Sequence, residues 1–111
     1  MIKLQEYLNK LNNDNMDELL SNYSVTIYDN PKDIEIGLLR FNKPLKNRAF
    51  LFIMPKEEIQ HFHTVGMKFP IKIFFFNSKK EIVYSSGIVK PGIKDISSKI
   101  PCKYVVELGV N

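Results

Sequence analysis

His61 and His63 stand two residues apart in the segment HFHTVGMKFPIKIFFF, and on an extended backbone that spacing turns both imidazoles toward one face. Two imidazoles on one face begin a zinc, copper or nickel site, which needs at least a third ligand. Glu57, Glu58, Asp95 and Cys102 carry suitable donor atoms, so one reading is a metal-dependent enzyme built on the His61/His63 strand. The plainer reading makes His63 a structural residue that hydrogen-bonds the Gly66 bend and leaves His61 in solvent. Cys102 is the single cysteine, which rules out a disulfide within the chain and a multi-thiolate zinc site. Between Pro101 and Lys103 it reads as small core filler rather than as a nucleophile, which would need a base and a lowered pKa. Tyr84, Ser85 and Ser86 supply hydroxyls, but no Gly-x-Ser-x-Gly elbow or phosphate-cradling glycine loop frames them. Gly66 and Met67 fit a pocket rim, since glycine admits close approach and methionine adapts its shape. Together with His63 they form the candidate ligand-binding set. The competing role for Gly66-Met67 is a backbone conformation required before a central strand. Phe74, Phe75 and Phe76 read as core, lacking the flanking Arg and Gly of a base-stacking platform.

The elements that must position these residues follow from hydrophobic periodicity. Leu4, Tyr7, Leu8 and Leu11 fall at helical spacing, with Lys3, Glu6 and Lys10 on other faces, and a second helical turn follows Asp14. From Val25 the pattern becomes that of strands. Val25–Tyr28 precedes an Asp29-Asn30-Pro31 turn, and Ala49–Met54 is an apolar run suited to burial on both faces. Ile71–Phe76 and Glu81–Tyr84 make a hairpin across Asn77-Ser78-Lys79-Lys80, and Lys103–Leu108 alternates as a last strand. Lys32 to Leu39 fits either a helical turn or a strand. These signals predict a mainly β fold, a compact antiparallel β-sandwich or small jelly-roll-like barrel with an N-terminal helical extension. The expected boundaries are residues 1–22 for the extension and 23–111 for a single β-domain.

Composition sets further limits. The 111 residues are 44% hydrophobic and 25% charged, which suits one core, and no apolar run approaches the roughly 18 residues of a membrane span. The N-terminal stretch lacks the continuous apolar segment of a secretory signal, so a cytoplasmic location is expected. Residues 1 to 60 carry 8 basic and 9 acidic groups, and residues 61 to 111 carry 8 basic and 3 acidic. That asymmetry suggests acidic or nucleic-acid partners as one alternative. Scattered lysines and only two arginines, Arg40 and Arg48, give it little support.

Several strings carry a resemblance: Gly37-Leu38-Leu39; Leu51-Phe52-Ile53-Met54-Pro55; His63-Thr64-Val65-Gly66-Met67-Lys68-Phe69-Pro70-Ile71; Ile82-Val83; and Pro101-Cys102-Lys103-Tyr104-Val105-Val106-Glu107-Leu108. In this order and spacing, over about residues 34 to 109, the chain resembles the family known as domain of unknown function 192. The resemblance implies a small, mostly antiparallel β fold with jelly-roll or barrel character and no established reaction. The chain departs from the family pattern at Lys72, where an aspartate is usual, and in the hairpin, which lacks a glycine and leaves Asn77 to take the positive φ. The family often has an aromatic residue at the position of His63, which favours packing over ligation.

Taken together, the sequence describes a non-catalytic binding or scaffolding module that needs no cofactor. A place as accessory or structural subunit of a larger assembly fits the N-terminal helix, whose stripe of Leu4, Leu8 and Leu11 suits docking on a protein partner. Covering a sheet edge is its other use.

Overall fold

A computed structural model describes residues 16–110. The elements are a helical turn α1 (residues 16–20), β1 (Ser24–Tyr28), α2 (Pro31–Ile36) running into a 3-10 turn (Gly37–Arg40), β2 (Arg48–Glu58), β3 (His61–Phe62), β4 (Ile71–Phe76), β5 (Ile82–Val89), β6 (Ile96–Ser97) and β7 (Cys102–Gly109). Five strands form one mixed sheet in the order β1-β2-β7-β4-β5, and β3 with β6 makes a separate two-stranded ribbon. The fold is mainly β, as expected, but the main sheet stays open and does not close into a barrel. Its β1–β2 edge pair is parallel, a long-range pairing that no local turn signal encodes.

The sheet's two faces follow from alternation. On one face Phe50, Phe52 and Met54 of β2, Val105 of β7 and Ile71, Ile73 and Phe75 of β4 are buried under Tyr28, Leu38, Met67, Phe69 and Ile96. On the other, Ala49, Leu51, Phe76, Val106 and Leu108 are buried under Met16 and Leu19. Residues 16–20 are therefore packed on the sheet. Leu4, Leu8 and Leu11 lie outside the described residues, as does most of the expected extension.

Local chemistry settles the segment the periodicity left open. Asn30 caps α2, its side chain accepting from the Asp33 amide at 3.0 Å, and Pro31 occupies the first turn, where its missing N–H costs nothing. Gly37 ends the helix at φ 48°, and a Cβ there would meet the Phe52 ring at 3.3 Å. The glycine thus lets the 3-10 turn lie directly on the sheet. In the β4–β5 hairpin the positive φ falls on Lys80, not Asn77. Asn77 organises the turn through its side chain, with Oδ1 accepting from the amides of Lys79 at 2.9 Å and Glu81 at 3.0 Å.

The loop between β3 and β4 is tied down by Thr64 rather than His63. Thr64 is fully buried; its hydroxyl donates to the Lys90 carbonyl at 2.7 Å and accepts from the Ile93 amide at 2.9 Å. Its carbonyl accepts from Met67 and Gly92, and its amide donates to the Ile93 carbonyl. Gly66 turns the chain between them at φ +87°. Phe62 fixes the ribbon above the sheet, its ring edge-on to both Phe52 at 5.5 Å and Phe75 at 5.9 Å.

Replacing Thr64 by Val deletes the hydroxyl and strands the Lys90 carbonyl and the Ile93 amide. A buried group left unpaired costs roughly 1–3 kcal/mol, and these two bonds are only part-buried, so Thr64→Val is expected to lower unfolding free energy by about 1–3 kcal/mol and Thr64→Ser by less than about 1. Urea denaturation of the three proteins checks this, and equal losses for Val and Ser would contradict the assignment.

Candidate functional site: a cleft over the central strand

A cleft of about 240 Å³ opens between the sheet and the layer of short elements above it. Phe52, Met54, Ile71 and Glu107 form its sheet side; α2 and the 3-10 turn supply Ile34 to Leu39; His61, Phe62, His63 and Met67 close the third side. Among the described residues no lysine or arginine lines it.

Glu107 is the unusual member. β7 is the central strand, and Glu107 pairs with Phe50 of β2 on one side and Ile73 of β4 on the other. Cross-strand partners share a face, so the carboxyl points to the face of Phe50, Phe52, Ile71 and Ile73, toward the cleft. The residue is only 4% exposed, and among the described residues its side chain has no hydrogen-bond partner. Burial pushes the carboxyl from the ordinary 4.5 up to about 8, so it keeps its proton at neutral pH. The sequence reading placed Glu107 among the residues alternating with Tyr104, Val106 and Leu108 and gave it no role. Its signal was an acidic side chain in a strand whose neighbours on both sides are apolar runs.

The histidines lie at the rim. His61 is exposed, and its Nδ1 is 2.9 Å from Asp95 Oδ1. Such an exposed pair contributes about 0–1 kcal/mol but fixes how the ring is turned. His63 is exposed and makes no hydrogen bond with the Gly66 bend. Both rings line the cleft, as does the buried Met67, whereas Gly66 shapes the bend without lining it. Of the proposed third ligands only Asp95 approaches a histidine, and the described residues contain no group of three His, Cys, Asp or Glu arranged to hold a metal. Glu57 is engaged elsewhere, accepting from the Ser78 amide.

Cys102 is fully buried, and burial raises its thiol to about 11, partly offset by a hydrogen bond with Ser98. It is a neutral core group at physiological pH, in keeping with its reading as filler. The polar atoms nearby are paired: Ser98 Oγ accepts from the Gln60 amide and donates to the Ile100 carbonyl, and Gln60 Nε2 donates to the carbonyls of Lys56 and Cys102. Against this background of satisfied buried groups, Glu107 stands apart.

An open mixed sheet with a carboxyl buried in its central strand and a cleft over one face defines a small, mainly β domain. The chain belongs to the family of domain of unknown function 192, described as "Uncharacterized ACR", whose model matches residues 12–111. The match begins well before residue 34 and takes in the helical turn that packs on the sheet. No curated protein matches the chain. Among solved structures, a protein of Sinorhizobium meliloti 1021 described provisionally as a transcription regulator is similar with a TM-score of 0.74 and 21% identity, over 79% of this chain and 69% of that one. A protein of unknown function from Novosphingobium aromaticivorans DSM 12444 is similar with a TM-score of 0.73 and 12% identity, over 78% of this chain and 63% of that one. These likenesses concern the fold. No helix among the described residues is long and apolar enough to cross a membrane.

The raised Glu107 pKa fixes a pH dependence. Between about 4.5 and 8 the unfolded chain has released this proton while the folded chain holds it, so stability from this group falls across that window as pH rises. Glu107→Leu is therefore expected to be more stable than wild type at pH 8, with the margin shrinking toward pH 5, in denaturation curves measured across that range. A pH-independent margin would show that the carboxyl is not buried as described.

Proposed function

We propose that the protein is a small-molecule-binding module whose site is the cleft over β7, with Glu107 as its polar anchor. The supporting observation is the combination at this one residue: a buried carboxyl, no hydrogen-bond partner among the described residues, and a position on the wall of a cavity. Burying a polar group without a partner costs about 1–3 kcal/mol, and a ligand that supplies the missing hydrogen bonds recovers it on binding. The rest of the lining suits such a role. Phe52, Phe62, Ile71 and Met67 offer apolar walls, and the convergent polar groups are few, the usual make-up of a ligand site. At about 240 Å³ the cleft is below the roughly 300–1,000 Å³ of sites for drug-sized molecules, so its occupant is small.

His63 and Met67 are direct contacts in this reading, and Gly66 acts by setting the bend that carries Met67. The function is binding and requires no bound metal. Docking on a protein partner through Leu4, Leu8 and Leu11 is a separate proposal that rests on their helical spacing alone.

A fragment library screened by amide shifts of the labelled protein tests the proposal. Binders are expected to move the amides of Phe52, Met67, Ile71 and Glu107, and Met67→Trp, which fills the cleft, is expected to weaken them at least tenfold. A library in which nothing moves these amides, or binders indifferent to Met67→Trp, would overturn it.

A further inference from the structure

The charge of the cleft narrows what it takes. We propose, resting on the binding role above, that the ligand is a small primary amine with an apolar body, its ammonium seated against Glu107 and its body between Phe52, Phe62 and Met67. The chain as a whole is cationic, with formal net charge +4, yet among the described residues this cleft draws none of its lining from lysine or arginine. Its formal acids are Glu107 at the wall and Glu35 on α2, and the other titratable lining groups are His61 and His63. On the same sheet face, Tyr28 of β1 packs on Phe50 and Phe52. Arg40 lies 4.7 Å from the Tyr28 ring centroid and Arg48 5.4 Å from that of Phe50; neither lines the cleft. An anionic ligand would meet carboxyls and no lysine or arginine. A cation meets the exposed Glu35 carboxylate, the Glu107 carboxyl at the wall, and the rings of Phe52 and Phe62, aromatic groups whose faces attract positive charge.

The proton balance is simple. Free Glu107 holds its proton because burial disfavours the anion and no described residue hydrogen-bonds it; an arriving ammonium supplies the countercharge, and the carboxyl proton passes to solvent. Uncharged hydrogen-bonding ligands displace no proton. Amines and neutral amides are therefore distinguishable by stoichiometry as well as by affinity.

Isothermal calorimetry with benzylamine, benzyl alcohol, benzamide and benzoate, at pH 6.5 in two buffers of different ionisation enthalpy, tests the inference. Benzylamine is expected to bind at least tenfold tighter than the other three, with release of close to one proton per ligand. Glu107→Gln is expected to remove that preference while still binding benzyl alcohol. Benzamide or benzyl alcohol binding as tightly as benzylamine, with loss on Glu107→Gln, would overturn the amine assignment and leave the cleft as a site for neutral ligands. Tighter benzylamine binding that survives Glu107→Gln, or binding without proton release, would also overturn it. Failure of all four to bind, where the fragment screen finds other occupants of the cleft, would reject the amine class; failure in both would reject the site.

Discussion

β7 is hydrogen-bonded to a neighbour on each side and covered on both faces, so every residue from Val105 to Leu108 is buried. The whole architecture is arranged around this strand. The sheet cannot twist open without exposing Val105 and Val106, which are fully buried on opposite faces. The covering layers follow from the same requirement. α1 closes one face with Met16 and Leu19, while the ribbon, the 3-10 turn and the Thr64 loop close the other with Phe62, Leu38, Met67 and Phe69. A glutamate on the sheet wall of the cleft left beneath those covering pieces is then the feature that packing alone does not explain.

A leucine at residue 107 would satisfy every demand of the fold. It would match Phe50 and Ile73 across the strands and add apolar burial where the carboxyl contributes a desolvation cost. The protein tolerates Glu107 because the group stays protonated and because the surrounding core is dense with aromatic contacts. Tyr28, Phe52, Phe62, Phe75 and Tyr84 form an unbroken chain of ring contacts at 5.4 to 5.9 Å that links β1, β2, β3, β4 and β5. Stability given up at one residue against an otherwise consistent core is the usual mark of a functional position.

The strands were legible because their burial is symmetrical. Ala49–Met54 and Phe74–Phe76 are apolar without interruption, and only a strand hidden on both faces, or a buried helix, reads that way. The ambiguous stretch from Lys32 to Leu39 resolves as helix followed by a 3-10 turn through one capping bond from Asn30, a signal present in the sequence but outweighed by the alternation of Ile34, Ile36 and Leu38. Open sheet as against closed barrel was not legible, since it depends on β1 pairing in parallel with β2 across an intervening helix. At the site, His63 and Met67 were visible as residue types, but the group at the wall was not. Alternation in Lys103–Leu108 marks a strand without saying which face is buried, and what buries Glu107, the flanking strands β2 and β4 and the short elements covering them, lies for the most part some thirty or more residues away in the chain.

Similarity of fold to distant structures does not transfer a function here. At 21% and 12% identity, TM-scores of 0.74 and 0.73 report that one sheet arrangement satisfies very different side-chain sets. That is what packing physics predicts, because hydrophobic residues of suitable volume in the right alternation are enough to select a sheet. What the sheet does not select is a carboxyl at residue 107 or the lining of the cleft above it. In the binding role proposed above, the main sheet supplies stability, and the short elements carrying His61, His63, Met67 and the turn at Gly37 supply most of the lining. Paired strands on both sides hold the Glu107 backbone in place, whereas the exposed members of the opposing wall, Glu35, His61 and His63, are not part of the core. Under the proposed binding role, such a division would let one scaffold keep a polar anchor at Glu107 while the exposed part of the lining is fitted to a particular small molecule.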